Sequence, residues 1–193
     1  MKKIRLIVTD LDNTLLRRDK TISDYTIDVF KRAHTCGIQY AFATGRSYES
    51  SQEFRDIMHP EGDIVTGGCL VFASGQLLQS FFLPEPESAV LLAELCRYSS
   101  IKRVSARSLN TAYSNLREEN RIRIDFTQPL PEKFIHCSCN TDDNLLMKSI
   151  AVRYPMFSIL HMSESDLYDI NPKDATKLNG IKTLSEHFKI PYF

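Results

Sequence analysis

Short apolar segments alternate with amphipathic ones in the first third of the chain, and this alternation constrains the fold more than any other feature. Residues 3–9 form an apolar, β-rich segment, and residues 25–35 carry apolar side chains at helical spacing. A second apolar segment at 38–43 and a second helix candidate at 48–58 follow. Strand, helix, strand, helix with short connections is typical of βαβ units, which build a parallel sheet. We therefore predict an α/β fold with a Rossmann-like core.

The middle of the chain has a different pattern, which predicts an insert. After a Pro-Glu-Pro segment, two helix candidates at 88–98 and 142–154 accompany short, hairpin-like strand segments. They indicate an α+β module with an antiparallel sheet and two helices on one face. A helix near the C-terminus then resumes the first pattern. We predict a core built from residues 1–83 and 171–193, with the α+β insert at 84–170.

Charge and cysteine content exclude several classes of function. The chain has 24 Lys and Arg against 24 Asp and Glu, so no bulk positive field attracts nucleic acid or an anionic membrane surface. The N-terminal apolar segment is too short and too acidic for a signal peptide or a membrane span. An odd number of cysteines predicts free thiols in a cytoplasmic protein, although Cys137 and Cys139 could also form a metal or redox pair.

Two aspartates follow the first predicted strand directly. Asp10 and Asp12 lie where open α/β sheets bind ligands, at the carboxyl end of a parallel strand. In such a loop two carboxylates can face one crevice, one as nucleophile and metal ligand and the other giving and taking a proton. The alternative is ordinary turn chemistry, which also favours Asp-x-Asp.

Two further groups could bind a phosphate near these carboxylates. Thr44, Gly45 and Arg46 follow the second predicted strand, where a hydroxyl, a bare backbone and a guanidinium can all face an anion. Lys177 lies at the start of the C-terminal helix candidate. The alternatives are an N-cap at Thr44 and a solvated surface lysine.

The segment from Val8 to Leu15 resembles the nucleophile motif of the haloacid dehalogenase-like phosphatases. The resemblance implies that Asp10 attacks phosphorus to form an aspartyl-phosphate. It implies that Asp12 protonates the leaving group and later activates water. It also implies a Mg²⁺ cofactor held by the Asp10 carboxylate and the main-chain carbonyl of Asp12, in keeping with the preference of Mg²⁺ for oxygen ligands.

The other two groups resemble the second and third motifs of the same superfamily. The resemblance implies that Thr44 holds a phosphoryl oxygen and that Lys177 pairs with the nucleophile and the phosphate. Substrate-binding positions carried over from it are Leu11, Gly45 and Arg46. The insert, together with a Thr-Gly-Gly segment before a hairpin, is similar to the Cof-type branch with its α+β cap. That branch implies a small phosphorylated metabolite, such as a sugar phosphate, as the substrate.

One motif of the Cof-type pattern is missing after Lys177. The Gly-Asp-x-x-Asn-Asp segment, whose acids complete the Mg²⁺ site, has no counterpart there. We therefore expect weak metal binding and low or no phosphatase turnover. We also expect the strand at residues 3–9 to be an open sheet edge that favours self-association. The alternatives are a catalytically inactive protein that binds a phosphorylated metabolite and an interaction protein of the same fold.

Overall fold

The computed structural model describes residues 3–162 and 165–191, which fall into two units. One unit comprises the chain up to Ser80 together with the segment from Ala175 onward, and the other is Phe81–Asp174. The sequence-based boundaries lie at 83/84 and 170/171. The predicted α/β fold, with a parallel-sheet core and an inserted α+β module, is confirmed.

Helices and strands are numbered in chain order. The helices of the described residues are α1 (Asp24–Thr35), α2 (Gln52–Met58), α3 (Glu87–Leu95), α4 (Asn144–Arg153) and α5 (Lys177–His187). The strands are β1 (Leu6–Thr9), β2 (Gln39–Ala43), β3 (Gly62–Val65), β4 (Leu70–Ala73), β5 (Gln76–Ser80), β6 (Arg103–Arg107), β7 (Ala112–Ser114), β8 (Ile122–Arg123), β9 (His136–Asn140), β10 (Phe157–Met162) and β11 (Leu167–Pro172).

The first unit is built on a sheet in the order β1-β2-β3-β4-β5. Strands β1, β2 and β3 are parallel, and β4 and β5 continue the sheet as an antiparallel hairpin. Helix α1 connects the first two strands, and Ser23 caps it by accepting a hydrogen bond from the Thr26 N–H at 3.1 Å. Because the first three strands are parallel, their carboxyl ends lie at one edge of the sheet.

Strand β2 shows how this sheet is buried on both faces. Tyr40 and Phe42 pack in one apolar cluster with Phe54 of α2, whereas Ala41 and Ala43 belong to the cluster under α5. Successive side chains of a strand point to opposite faces, so one apolar segment contributes to two cores. The arrangement explains why the strand reads as a continuous apolar run in the sequence.

The second unit has a sheet in the order β10-β11-β9-β6-β7-β8, packed with α3 and α4. Leu91 and Leu92 of α3 share one apolar cluster with Ile150 of α4 and the alternating residues Cys137 and Cys139 of β9. The expected antiparallel pattern holds except where β7 and β8 pair in parallel. Strand β8 has only two residues, both exposed, which is too short for an alternating pattern to mark it in the sequence.

Three expectations concern thiols, membranes and the sheet edge. None of the five cysteines forms a disulfide, and burial raises the pKa of the Cys139 thiol to about 12, as is typical of an inert core cysteine. Among the described residues, no helix is both long and apolar enough to cross a membrane. Within the same residues β1 pairs with β2 alone, so its outer side is a sheet edge.

Candidate active site

The Asp10 carboxylate is held by the turn that follows β1. Its Oδ1 atom accepts a hydrogen bond from the Leu11 N–H at 2.8 Å. Two backbone hydrogen bonds close the turn. The Leu15 N–H donates to the Asp10 carbonyl at 3.2 Å, and the Leu16 N–H donates to the Leu11 carbonyl at 2.9 Å. The fully buried side chain of Leu11 anchors the turn in the core. The Leu11 side chain is therefore turned away from solvent, while the Leu11 N–H donates to the Asp10 carboxylate.

Lys177 reaches the same carboxylate from the other end of the chain. Its Nζ atom lies 2.5 Å from Asp10 Oδ2, and both side chains are more than a third exposed. Lys177 is the first residue of α5, which Thr176 caps by accepting a hydrogen bond from the Asn179 N–H at 3.1 Å. With one oxygen held by the backbone and the other by the ammonium, Asp10 has a single orientation.

The Asp12 carboxylate is held by two cations. Arg46 donates from Nε to Oδ2 at 2.8 Å and from Nη2 to Oδ1 at 2.9 Å, and Lys20 Nζ lies 2.8 Å from Oδ1. The Arg46 hydrogen bonds, assisted by Lys20, hold the pKa of Asp12 well below its usual range even though partial burial opposes them. The same contact raises the pKa of Arg46. Asp12 is thus an anion in this arrangement.

Thr44 and Gly45 lie at the end of β2. Thr44 is 1% exposed, and its Oγ1 atom accepts a hydrogen bond from the Arg46 N–H at 3.1 Å. A hydroxyl that accepts this bond keeps its own proton for another acceptor. Gly45 is exposed, and a Cβ placed there would meet no heavy atom within 4 Å. Thr44 does not cap a helix, since the next helical turn begins at Glu49 after the N-cap position Tyr48. The exposed backbone of Gly45 is open to a ligand.

A model of the haloacid dehalogenase-like hydrolases matches residues 7–192 of this chain. The chain belongs to that family. The membership expected from the three motifs is confirmed, and the residues brought together here are those that carry the motifs.

One curated relative of this haloacid dehalogenase-like hydrolase is the 5-amino-6-(5-phospho-D-ribitylamino)uracil phosphatase YitU of Bacillus subtilis (strain 168). The two sequences are 42% identical over 60 residues. The matched segment is 31% of this chain and only 22% of that protein. The chain therefore matches about a fifth of the length of this relative.

Solved structures show the same fold over nearly the whole chain. The subclass IIB sugar phosphatase BT4131 has a TM-score of 0.80 and 20% identity, over 98% of this chain and 77% of its own. The phosphatase BT1666 from Bacteroides thetaiotaomicron has a TM-score of 0.80 and 18% identity, over 97% of this chain and 74% of its own. At these identities the likeness shows a common fold.

Sequence reasoning missed two parts of the site of this hydrolase. Lys20 contacts Asp12 although it lies in an exposed loop with no motif around it. Arg46, which the sequence assigns to substrate binding, is also paired with Asp12 in this structure. The signal that could have indicated this pair is charge alone, because an arginine and a carboxylate at the ends of adjacent parallel strands are within reach of each other.

Proposed function

We propose that this chain acts as a Mg²⁺-dependent phosphatase that hydrolyses a small phosphorylated metabolite through an aspartyl-phosphate on Asp10. The observation that carries the proposal is the contact of 2.5 Å between Lys177 Nζ and Asp10 Oδ2 at the carboxyl end of β1. An ammonium at this distance neutralises the carboxylate, which otherwise repels a phosphate dianion. The match to the family model supports the same chemistry.

The first step uses Asp10 as nucleophile. A carboxylate oxygen attacks phosphorus, the new P–O bond forms, and the bond from phosphorus to the leaving alkoxide breaks. Lys177 and the hydroxyl of Thr44 stabilise the charge on the phosphoryl oxygens. Leu11, Gly45 and Arg46 complete the proposed substrate-binding set. Because the side chain of Leu11 is buried, its part falls to its N–H, which must leave Asp10 Oδ1 to bind a phosphoryl oxygen.

Asp12 gives a proton to the leaving alkoxide and then takes one from the water that attacks the aspartyl-phosphate. That water frees inorganic phosphate as the bond to Asp10 breaks. Because Arg46 and Lys20 keep Asp12 ionised, the carboxylate must first take up a proton from solvent, which requires the Arg46 pair to open. We infer that the substrate draws Arg46 away from Asp12, since phosphate also forms bidentate bonds with a guanidinium.

The oxygen donors for Mg²⁺ in this chain are the Asp10 carboxylate and the main-chain carbonyl of Asp12. The donor set is chemically suited to the ion but small, since the described residues contain no cluster of three or more His, Cys, Asp or Glu that could hold a metal. When bound, Mg²⁺ supplies positive charge that offsets the charge of the phosphoryl group. We propose weak, water-rich binding of the ion.

We also propose a role for the second unit, a class of substrate and a cellular location. The second unit, Phe81–Asp174, is proposed to act as the cap, and a sugar phosphate is the proposed kind of substrate. The relatives named as phosphatases support this choice. The absence of disulfides among the five cysteines, all of which lie in the described residues, supports a cytoplasmic location.

Phosphate release from an aryl phosphate tests the proposal. We expect this chain to show a low rate that requires Mg²⁺ and is lost in Asp10→Asn. The matched control is Asp19→Asn, which removes an exposed carboxylate from the same loop and should keep the rate. A rate that survives in Asp10→Asn contradicts the proposed nucleophile.

A second candidate function is binding of a phosphorylated metabolite without turnover. The observation that favours it is the double ion pair of Asp12, which leaves this residue no proton to donate. This candidate predicts that an aryl phosphate binds and is recovered intact with or without Mg²⁺. Release of phosphate above the rate of the Asp10→Asn variant rejects it.

We also propose that the outer edge of β1 allows two copies of the chain to associate. In the described residues this strand pairs with β2 only, so its other side presents backbone donors and acceptors. Light scattering over a range of concentrations tests the proposal. The mass is expected to rise with concentration, and a monomer at high concentration contradicts it.

A further inference from the structure

The turn that follows β3 contains strained backbone. Thr66, Gly67 and Gly68 have φ angles of 51°, 68° and 113°. Glycine adopts positive φ at little cost, but a β-branched residue rarely does. The Thr66 hydroxyl is also buried and has no hydrogen-bond partner among the described residues. Both features oppose folding, so the conformation of this turn points to a role other than stability.

The same turn is bonded to the loop that carries the second motif. The Thr66 N–H donates to the Arg46 carbonyl at 2.7 Å, and the Gly67 N–H donates to the Thr44 carbonyl at 3.1 Å. The Thr44 N–H in turn donates to the Ile64 carbonyl of β3 at 2.8 Å. Backbone hydrogen bonds therefore join the turn directly to the loop of Thr44.

Gly68 packs directly against the beginning of α5. A Cβ at Gly68 would lie 2.4 Å from the carbonyl carbon of Thr176 and 2.5 Å from its oxygen. Thr176 is the N-cap of α5, and the next residue is Lys177. These neighbours are backbone atoms, which cannot rotate away as a flexible side chain can. Any side chain at Gly68 must therefore displace the first turn of the helix.

Gly180, one turn further along α5, also lies in close contact with the sheet. A Cβ at Gly180 of α5 would lie 2.6 Å from Cγ2 of Ile64 in β3. Helix α5 thus approaches the sheet closely both at its N-cap and one turn into the helix. The contacts of Gly68 with Thr176 and of Gly180 with Ile64 together set the distance of Lys177 from the carboxyl ends of the parallel strands.

We propose that the Thr66–Gly68 turn positions Lys177, with the absent side chain of Gly68 setting the place of its ammonium group beside Asp10. The proposal rests on the proposed function, which it deepens by adding Gly68 as a positioning residue that acts through Lys177. The turn also joins Lys177 to the loop of Thr44, so both phosphate-binding groups are placed by one short segment.

Binding of inorganic phosphate, followed by NMR chemical-shift titration, tests this proposal in a double-mutant cycle. The four proteins are the wild type, Gly68→Ala, Lys177→Ala and the double variant. Gly68→Ala is expected to weaken phosphate binding about tenfold, as for the loss of one charge-assisted hydrogen bond. In the Lys177→Ala background the same change is expected to alter the affinity by less than about twofold. A role that is merely structural would not depend on Lys177.

Gly75→Ala is the matched control. Gly75 has a φ of +77°, but a Cβ there would meet no heavy atom within 4 Å. The control therefore introduces a similar backbone strain in the same unit without displacing α5. Its phosphate affinity is expected to equal that of the wild type.

The possible outcomes separate this proposal from the proposed function. Wild-type affinity in Gly68→Ala, or equal losses in both backgrounds, overturns the positioning role of Gly68. A wild-type chain that binds no phosphate, or a Lys177→Ala variant that binds it normally, contradicts the proposed function itself. Should Gly68→Ala not fold, Gly180→Ala replaces it in the cycle, because only the Ile64 side chain must yield there. The same dependence on Lys177 is expected, and wild-type affinity again overturns the proposal.

Discussion

The two units of the molecule differ in how many unfavourable backbone angles and unpaired buried polar atoms they contain. Among the described residues, six non-glycine residues of the first unit have positive φ, against Asn120 alone in the second. Those six are Asn13, Lys20, His59, Thr66, Ser74 and Lys189. In the described part of the chain, two buried side-chain atoms have no hydrogen-bond partner, and both, on Asp63 and Thr66, belong to the first unit.

Polar groups in the second unit are instead paired with one another. Ser105 and Ser138 on adjacent strands share a hydrogen bond of 2.8 Å, and Tyr154 donates to Glu94 at 2.7 Å. Its helices and sheet share a single apolar cluster. The difference teaches that the costs of the fold are concentrated in the unit with the candidate active site, where strain can serve a function.

The largest effect is expected from the packed core of the second unit. Leu91→Ala removes a fully buried side chain of α3 and should lower the free energy of unfolding by about 2–5 kcal/mol. Val90 is its neighbour on the same helix and is 55% exposed, so Val90→Ala should have little effect. Urea denaturation of both variants measures the difference. Similar losses at the two positions would show that packing does not dominate this unit.

A gain of stability is expected in the first unit from Asp63→Asn. Asp63 is 3% exposed, and its burial raises the pKa of the carboxyl from 3.8 to about 6, against the opposing charge of Arg55. Between these values the unfolded chain ionises while the folded protein does not. The wild type therefore loses stability as the pH rises through this range, by about 2–3 kcal/mol in all.

Urea denaturation at pH 4 and pH 7 checks this expectation. The free energy of unfolding of Asp63→Asn, relative to the wild type, should rise by that amount between the two pH values. Asp28→Asn, at an exposed carboxylate of α1, is the matched control and should track the wild type. A constant difference between Asp63→Asn and the wild type at both pH values would contradict the stated cause.

A smaller and more local effect is expected at Asp12. Arg46→Gln removes the hydrogen bonds that are the main cause of the lowered pKa, so the pKa of Asp12 should rise toward its ordinary value. Lys20→Gln should raise it less, because Lys20 makes the weaker contribution. Carboxyl NMR titration of the two variants ranks the effects. A larger rise of the Asp12 pKa in Lys20→Gln than in Arg46→Gln would show that Lys20 is the main cause of the lowered pKa.

Periodicity predicted the elements of the fold, and motif resemblance predicted the contact between Asp10 and Lys177. Those two residues lie 167 positions apart, which no local pattern spans. Three features could not be predicted for physical reasons. Strand β8 has two exposed residues, too few for an alternating pattern to show. Lys20 is an ordinary loop lysine. Thr66 adopts a backbone conformation that its residue type disfavours.

The central claim is that Asp10 receives a phosphoryl group. Acid-quenched mass spectrometry of the chain, incubated with an aryl phosphate and Mg²⁺, tests it most directly, because it detects the covalent intermediate itself, and we expect hydrolysis of that intermediate to be the slower step while Arg46 and Lys20 hold Asp12. We predict one phosphoryl group on the peptide that contains Asp10, and none on that peptide in the Asp10→Asn variant. A phosphoryl group on another peptide, or no modification of the wild type at any Mg²⁺ concentration, would contradict the claim.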